Sequence, residues 1–166
     1  YPPKNKYKTI IIIPSKAENN TLPLLLNSIS KQKKIYLNET LVIIVINNSK
    51  EDFKAISNNR RTITYLNNTN FNFDISYVDA SSNNNFLPSK NSGVGLARKI
   101  GADLALRYSN KKSVLCYTDA DTLLSDIYLK KIMDYYKEYQ CGCAVVSFKH
   151  QENNDPVIEK NIRQYE

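Results

Sequence analysis

TIIIIPSKAEN, residues 9–19, decides how this chain folds. The unbroken isoleucine run has the length and β-branched character of a strand, and its lack of polar alternation means that both faces of that strand are covered. Pro14 is expected to stop it. The pattern recurs along the sequence: LVIIVI at 41–46 ends at Asn47–Asn48–Ser49, ISYVDA at 75–80 runs into the long polar loop SSNNNFLPSKN, and SVLCY at 113–117 empties into TDAD at 118–121. CGCAVVSF at 141–148 also reads as a strand.

Helical spacing fills the intervals. TLPLLLNSIS, 21–30, offers Thr21 as N-cap and Pro23 in the first turn, with Leu22, Leu25, Leu26 and Ile29 on one face. Glu51 and Asp52 suit the positive end of a helix whose apolar positions are Phe53, Ile56, Ile63 and Leu66. The segment 93–109 carries a stripe of Leu96 or Ala97, Ile100, Leu104 and Tyr108, and SDIYLKKIMDYYKEY is a helix starting from Ser125 as cap. The order βαβαβαβαβ predicts an α/β chain of three layers, α/β/α, around a mostly parallel central sheet. Ligands of such sheets bind beyond the carboxyl ends of the strands, which is where SKAEN at 15–19, NNS at 47–49 and TDAD at 118–121 all fall.

Composition narrows the function classes. The 166 residues are the length of about one domain, and 42% hydrophobic with 23% charged is globular usage. A formal charge of +7 suits a phosphate-bearing partner, but the basic residues are scattered, and clusters such as KQKK at 31–34 read as solvated surface. Aromatic and basic residues do not interleave in a nucleic-acid module, so no nucleic-acid partner is expected. Cys116 reads as a small core residue, and Cys141 and Cys143 with a single histidine make metal binding through sulfur an unfavoured reading. An odd cysteine count without a secretory signal points to the cytoplasm, and no run approaches the ~20 apolar residues of a spanning helix. The start at Tyr1 and the unterminated VIEKNIRQYE lead us to expect a piece of a longer protein.

The chemistry concentrates at Asp119 and Asp121. In extended chain, residues i and i+2 share a face, so the two carboxylates would point together while Ala120 turns to the core. Their mutual repulsion is relieved by a divalent ion, and Mg²⁺ or Mn²⁺ is usually held by one or two carboxylates with phosphate and water completing its shell. The alternative is that Asp121 or Thr122 caps the next helix and Asp119 is solvated.

The order of motifs is similar to that of a family-2-type glycosyltransferase with the GT-A, Rossmann-like nucleotide-diphospho-sugar transferase fold. IIIIPSKAENNTLPLLLNSI resembles that family's opening strand, turn and helix; VINNSKED its second strand and turn; GVGLARKIGADLAL its Gly-x-x-x-Ala-Arg-Asn-x-Gly helix; YTDADTLL its Asp-x-Asp strand end. The resemblance implies a polar lead-in over 1–8, a nucleotide-sugar-binding domain over 9–150 and the truncated start of an acceptor-side region over 151–166. It implies that Pro14, Ser15 and Glu18 lie against the nucleoside, that Asn47 reads the base, and that Arg98 faces the ribose or phosphates. Asp119 would meet the ribose or the metal, and Asp121 the Mn²⁺ or Mg²⁺ that bridges the diphosphate.

Departures from the family pattern are Lys16–Ala17 in place of its aromatic–Asn pair, Ile46–Asn47 in place of its acidic pair, and Lys99 in place of Asn. Each residue also has an ordinary reading: Glu18 favouring a helix start, Asn47 a turn residue, Arg98 a solvated side chain. Gly93 and Gly95 open a helix after a long loop, so their G-x-G is a weak dinucleotide signal, and His150 reads as surface.

The implied activity is transfer of a sugar from a nucleoside-diphosphate sugar, a UDP-sugar foremost, to an acceptor hydroxyl on a glycan or lipid-linked acceptor, with peripheral association at the cytoplasmic membrane face left open. The catalytic base is expected beyond residue 166, Glu152, Asp155 and Glu159 being too weakly placed to nominate. Other readings are an inactive nucleotide-binding module of the same fold and a nucleotidyltransferase, although PSKAEN lacks the glycines the latter wants. A haloacid dehalogenase-type phosphatase would carry its Asp-x-Asp on the first strand.

Overall fold

The computed structural model describes residues 6–82, 84–139, 141–150, 152 and 154–165. The chain divides into two units, Tyr1–Asp134 and Tyr135–Glu166. In the first, strands β1 (Thr9–Ser15), β2 (Thr40–Asn47), β3 (Asp74–Ala80) and β4 (Val114–Tyr117) form one sheet in the order β3-β2-β1-β4, every pair parallel. The helices are α1 (Leu22–Ser30), α2 (Lys34–Leu37), α3 (Phe53–Asn68), α4 (Val94–Tyr108) and α5 (Tyr128–Tyr139), which begins in the first unit; α6 (Pro156–Tyr165) belongs to the second.

Successive strand residues point to opposite faces, so the isoleucine runs feed two cores at once. Ile11, Ile13, Val42, Ile44 and Ile46 pack with Leu22, Leu25, Leu26 and Ile29 of α1, Leu66 of α3 and Leu129 of α5. Ile10, Ile12, Leu41, Ile43 and Val45 pack on the other face with Ala97 and Ala105 of α4. Each such fully buried aliphatic side chain contributes about 1.5–3 kcal/mol, which is why the uninterrupted runs become central strands. Three layers result. The chain steps outward from β1 to β2 to β3 with α1 and α3 on one face, then returns through α4 on the other face to place β4 on the free side of β1, as right-handed crossovers require. The direction of winding reverses between β1 and β4, and a sheet of this kind opens its ligand crevice at that switch point.

Several expectations from the sequence are corrected. β1 continues through Pro14 to Ser15. Ile12 is bonded toward β4, its carbonyl accepting from Thr118 N at 3.2 Å, so Pro14, two residues on, turns its missing N–H toward the side where β4 has already ended. In α3 the buried face is Ala55, Asn59, Thr62 and Leu66, and Phe53 stands 80% exposed. In α4 the innermost residues are the small ones, Ala97, Gly101 and Ala105, with Ile100, Leu104 and Tyr108 at the flanks. α5 begins at Tyr128, after a turn in which Tyr128 N donates to Ser125 O at 2.9 Å.

No strand forms over the described residues of 141–148, and Val145 is 94% exposed. β-branched composition supplies only a propensity. A strand exists where its backbone meets a neighbouring ladder. Cys116 is buried in the core as expected, and burial pushes its thiol up to about 11.

Candidate functional site

At the end of β1, Pro14 and Ser15 are buried and the chain turns sharply at Ala17, whose φ is 62°. A side chain rarely adopts that left-handed conformation, and here the buried Asn59 of α3 holds it by accepting from Ala17 N at 2.9 Å. The Asn59 amide in turn donates to Asn47 O at 3.2 Å and Asn48 Oδ1 at 2.6 Å, tying the first turn to the end of β2. Glu18 closes the turn onto α1: its carbonyl accepts from Leu22 N at 2.9 Å and its carboxylate accepts from the Thr21 hydroxyl. Lys16 reaches Asp52 Oδ2 at 2.7 Å, and Asp52 also caps α3 by accepting from Ala55 N at 3.1 Å. The Lys16 ammonium, with that backbone donor, holds the Asp52 carboxyl below the usual range.

At the end of β2, the Asn47 side chain is 98% enclosed by the fold, being 2% exposed. Its Nδ2 donates to Ser92 O, just before α4, at 2.8 Å. A flipped amide would set two oxygens against each other, so the Ser92 carbonyl fixes which atom is which. The long segment after β3 is anchored here: Leu87 N donates to Asn48 O at 3.1 Å, Ser49 bridges Leu87, and the Ser89 hydroxyl donates to Glu51. At the start of that segment Asp79 accepts from Ser81 N and Oγ, both at 2.9 Å, from Ser82 N at 3.1 Å and from the Ser82 hydroxyl. Burial pushes the Asp79 carboxyl up, but these bonds outweigh it and the net direction is down.

At the end of β4 the buried Thr118 leads into a turn, Thr122 N donating to Asp119 O at 3.1 Å. The aspartate pair is therefore not in extended chain, because β4 ends at Tyr117. The alternation nevertheless survives: Asp119 and Asp121 are exposed and Ala120 sits in the core. Arg98 crosses from the second turn of α4 to place Nη2 2.7 Å from Asp119 Oδ1.

Three side-chain atoms in this region are enclosed without a hydrogen-bond partner: Ser15 Oγ, Asn47 Oδ1 and Arg98 Nε. A buried polar group left unsatisfied costs about 1–3 kcal/mol, and these three stand on the ends of β1 and β2 and on α4. Among the described residues no group of three or more His, Cys, Asp or Glu could hold a metal by itself. What is present, two exposed carboxylates, fits a hard divalent ion that takes its remaining ligands from phosphate and water.

Thus Ser15, Asn47, Arg98 and Asp119 stand on adjoining strand ends and helix α4, Arg98 touching Asp119 directly. Lys99 is turned to solvent and pairs with Asp103 at 2.5 Å. His150 lies in the second unit, exposed, edge-on to Phe148 at 5.5 Å between ring centroids. Sequence reasoning missed Asn59 and Ser92, and gave Asn48 and Gly101 no role of their own. Asn59 had a signal: it fills the gap in the apolar spacing between Ile56 and Ile63, where a buried helix face would otherwise want a hydrophobe.

The glycosyl transferase family 2 profile matches residues 10–165, and the chain belongs to that family. Among solved structures, TarS 1–349 of S. aureus in complex with UDP is similar with a TM-score of 0.51 and 19% identity, over 84% of this chain and 38% of that one. TarS 1–349 of S. aureus (TM-score 0.49, 19% identity, 86% of this chain and 39% of that) and S. aureus TarS (0.49, 20%, 87% and 24%) are comparable. The chain spans well under half the length of these structures. No curated protein matches the chain. The parallel sheet with helices on both faces is the Rossmann-like GT-A arrangement. Among the described residues no helix is long and apolar enough to cross a membrane.

Proposed function

We propose that the chain is the donor-binding part of a glycosyltransferase, holding a nucleoside-diphosphate sugar, with UDP as the nucleotide, at the carboxyl edge of the sheet. The observation that carries this reading is the set of enclosed, unpartnered atoms Ser15 Oγ, Asn47 Oδ1 and Arg98 Nε beside the switch point between β1 and β4. The UDP complex of TarS, on a like fold, supports it.

Pro14, Ser15 and Glu18 form the wall against which the nucleoside lies. Asn47 has one amide hydrogen on Ser92 O and an Oδ1 without a partner, so it offers the base an acceptor, and a base with an N–H at its edge is the partner it suits. Arg98 steers the diphosphate. Asp119 and Asp121 would hold Mn²⁺ or Mg²⁺ together with the diphosphate, with Asp119 also within the reach of a ribose. When bound, such an ion supplies Lewis-acid stabilisation of the charge that grows on the departing diphosphate. The chain's own part in that step would be to orient the diphosphate through Arg98 and to present the Asp119 and Asp121 carboxylates from the turn after β4. No residue of this chain is assigned as the base that deprotonates the acceptor.

Calorimetric titration of UDP with and without Mn²⁺ tests the reading. Mn²⁺ is expected to tighten UDP binding in the wild type and to lose that effect in Asp121→Ala. Equal UDP affinity of Asp121→Ala and wild type in Mn²⁺ would remove the metal assignment.

A further inference from the structure

Arg98 and Asp119 come from α4 and from the turn after β4, and their side chains are 40% and 56% exposed. An ion pair that open to water adds little to stability, so folding does not account for it. The guanidinium is also under-used: it has five donors, yet Nε is enclosed without a partner while Nη2 is spent on Asp119. Asp119 Oδ1, the oxygen Arg98 holds, belongs to one of the two carboxylates assigned above to a divalent ion. A guanidinium and a divalent cation compete for one carboxylate and repel each other. A diphosphate resolves the conflict, because it offers the guanidinium a bidentate anion of higher charge.

We infer that Arg98 is the resident counter-cation of Asp119 and exchanges that carboxylate for a phosphate when a nucleoside diphosphate arrives, so that ion and nucleotide bind as a coupled pair. The inference rests on the donor-binding reading above. It makes Arg98 a positioning residue for Asp119 in the free protein and a phosphate ligand in the loaded one. Because coupling between two ligands is reciprocal, the factor by which UDP tightens Mn²⁺ equals the factor by which Mn²⁺ tightens UDP, and Arg98 sets its size.

The test is binding of Mn²⁺ to the 166-residue chain, read from the electron paramagnetic resonance of the free ion, alone and with saturating UDP, corrected by a protein-free control. Wild type is expected to bind Mn²⁺ weakly alone, with UDP tightening it by about tenfold or more. Arg98→Gln is expected to bind Mn²⁺ alone about three- to tenfold more tightly than wild type, and UDP is expected to add less than about threefold to that. Arg98→Lys keeps the cation and is expected to stay near wild type. Circular dichroism confirms that each variant is folded, and should Arg98→Gln not fold, Arg98→Met carries the same expectation. A wild type that binds Mn²⁺ with UDP, beside a neutral variant with unchanged affinity alone and unchanged UDP effect, overturns the exchange and leaves the reading standing. Failure of the wild type to bind Mn²⁺ even with UDP overturns the exchange together with the metal assignment. Arg98→Lys behaving like Arg98→Gln also overturns the exchange, since charge would not be its cause.

Discussion

Gly101 of α4 lies so close on Ile12 of β1 that a methyl at its Cα would overlap Ile12 Cγ2 and stand 3.2 Å from Val45 Cγ2. The absent side chain is what lets α4 settle on the sheet with Ala97 and Ala105 at its contact face. That seating aims Arg98, three residues before Gly101, at the turn after β4.

Gly101→Ala is therefore expected to destabilise. Overpacking beside two fully buried β-branched residues costs about 1–3 kcal/mol, against a helix-propensity gain of about 1 kcal/mol. The urea midpoint should fall and UDP affinity with it. A midpoint equal to or above that of wild type would show that the helix shifts at no cost.

Asn59→Ala removes the acceptor for Ala17 N and the donor to Asn47 O and Asn48 Oδ1 in one substitution. With Asn47 O and Asn48 Oδ1 left buried and the Ala17 turn released, the loss is about 2–4 kcal/mol in urea unfolding. Asn59→Leu, which restores the apolar spacing of α3, should not recover it, since the unpaired groups and not the empty volume are the cause.

Ser15→Ala should separate binding from stability. Its hydroxyl has no partner in the fold, so its removal leaves stability unchanged or raises it by up to about 1 kcal/mol. UDP affinity is expected to fall several-fold in the same variant. Loss of stability with unchanged UDP affinity would place the hydroxyl in the fold alone.

Asp79 supplies a pH dependence with a definite sign. Its carboxyl is held below its ordinary value in the folded chain by Ser82 and Ser81, against the upward push of burial. The stabilisation is present in full above the ordinary aspartate value of about 4 and is lost as pH falls through the lower folded value. The pH profile of the urea midpoint should therefore drop less steeply below about pH 4 in Asp79→Asn than in wild type.

Much of the architecture was legible because two-sided burial leaves an unmistakable mark. TIIII and LVIIVI had no face to give to water, and both became central strands, while the leucine spacing of 22–29 is the buried face of α1. The polar clusters at 15–19, 47–49 and 118–121 do lie at strand carboxyl ends, as the alternating order implied. CGCAVVSF had strand composition and formed no strand, since nothing in a segment states which backbone it will meet.

Local sequence determined the four central strands and helices α1, α3, α4 and α5, because hydrophobic period and helix spacing are properties of consecutive residues, and their alternating order implied the parallel sheet. Tertiary structure alone decided that Asn59 would stitch two turns together, that Ser92 would orient the Asn47 amide, and that Arg98 would face Asp119. Those partners are far apart in the chain, and a hydrogen bond or ion pair depends on distances that only the packed sheet and helices set.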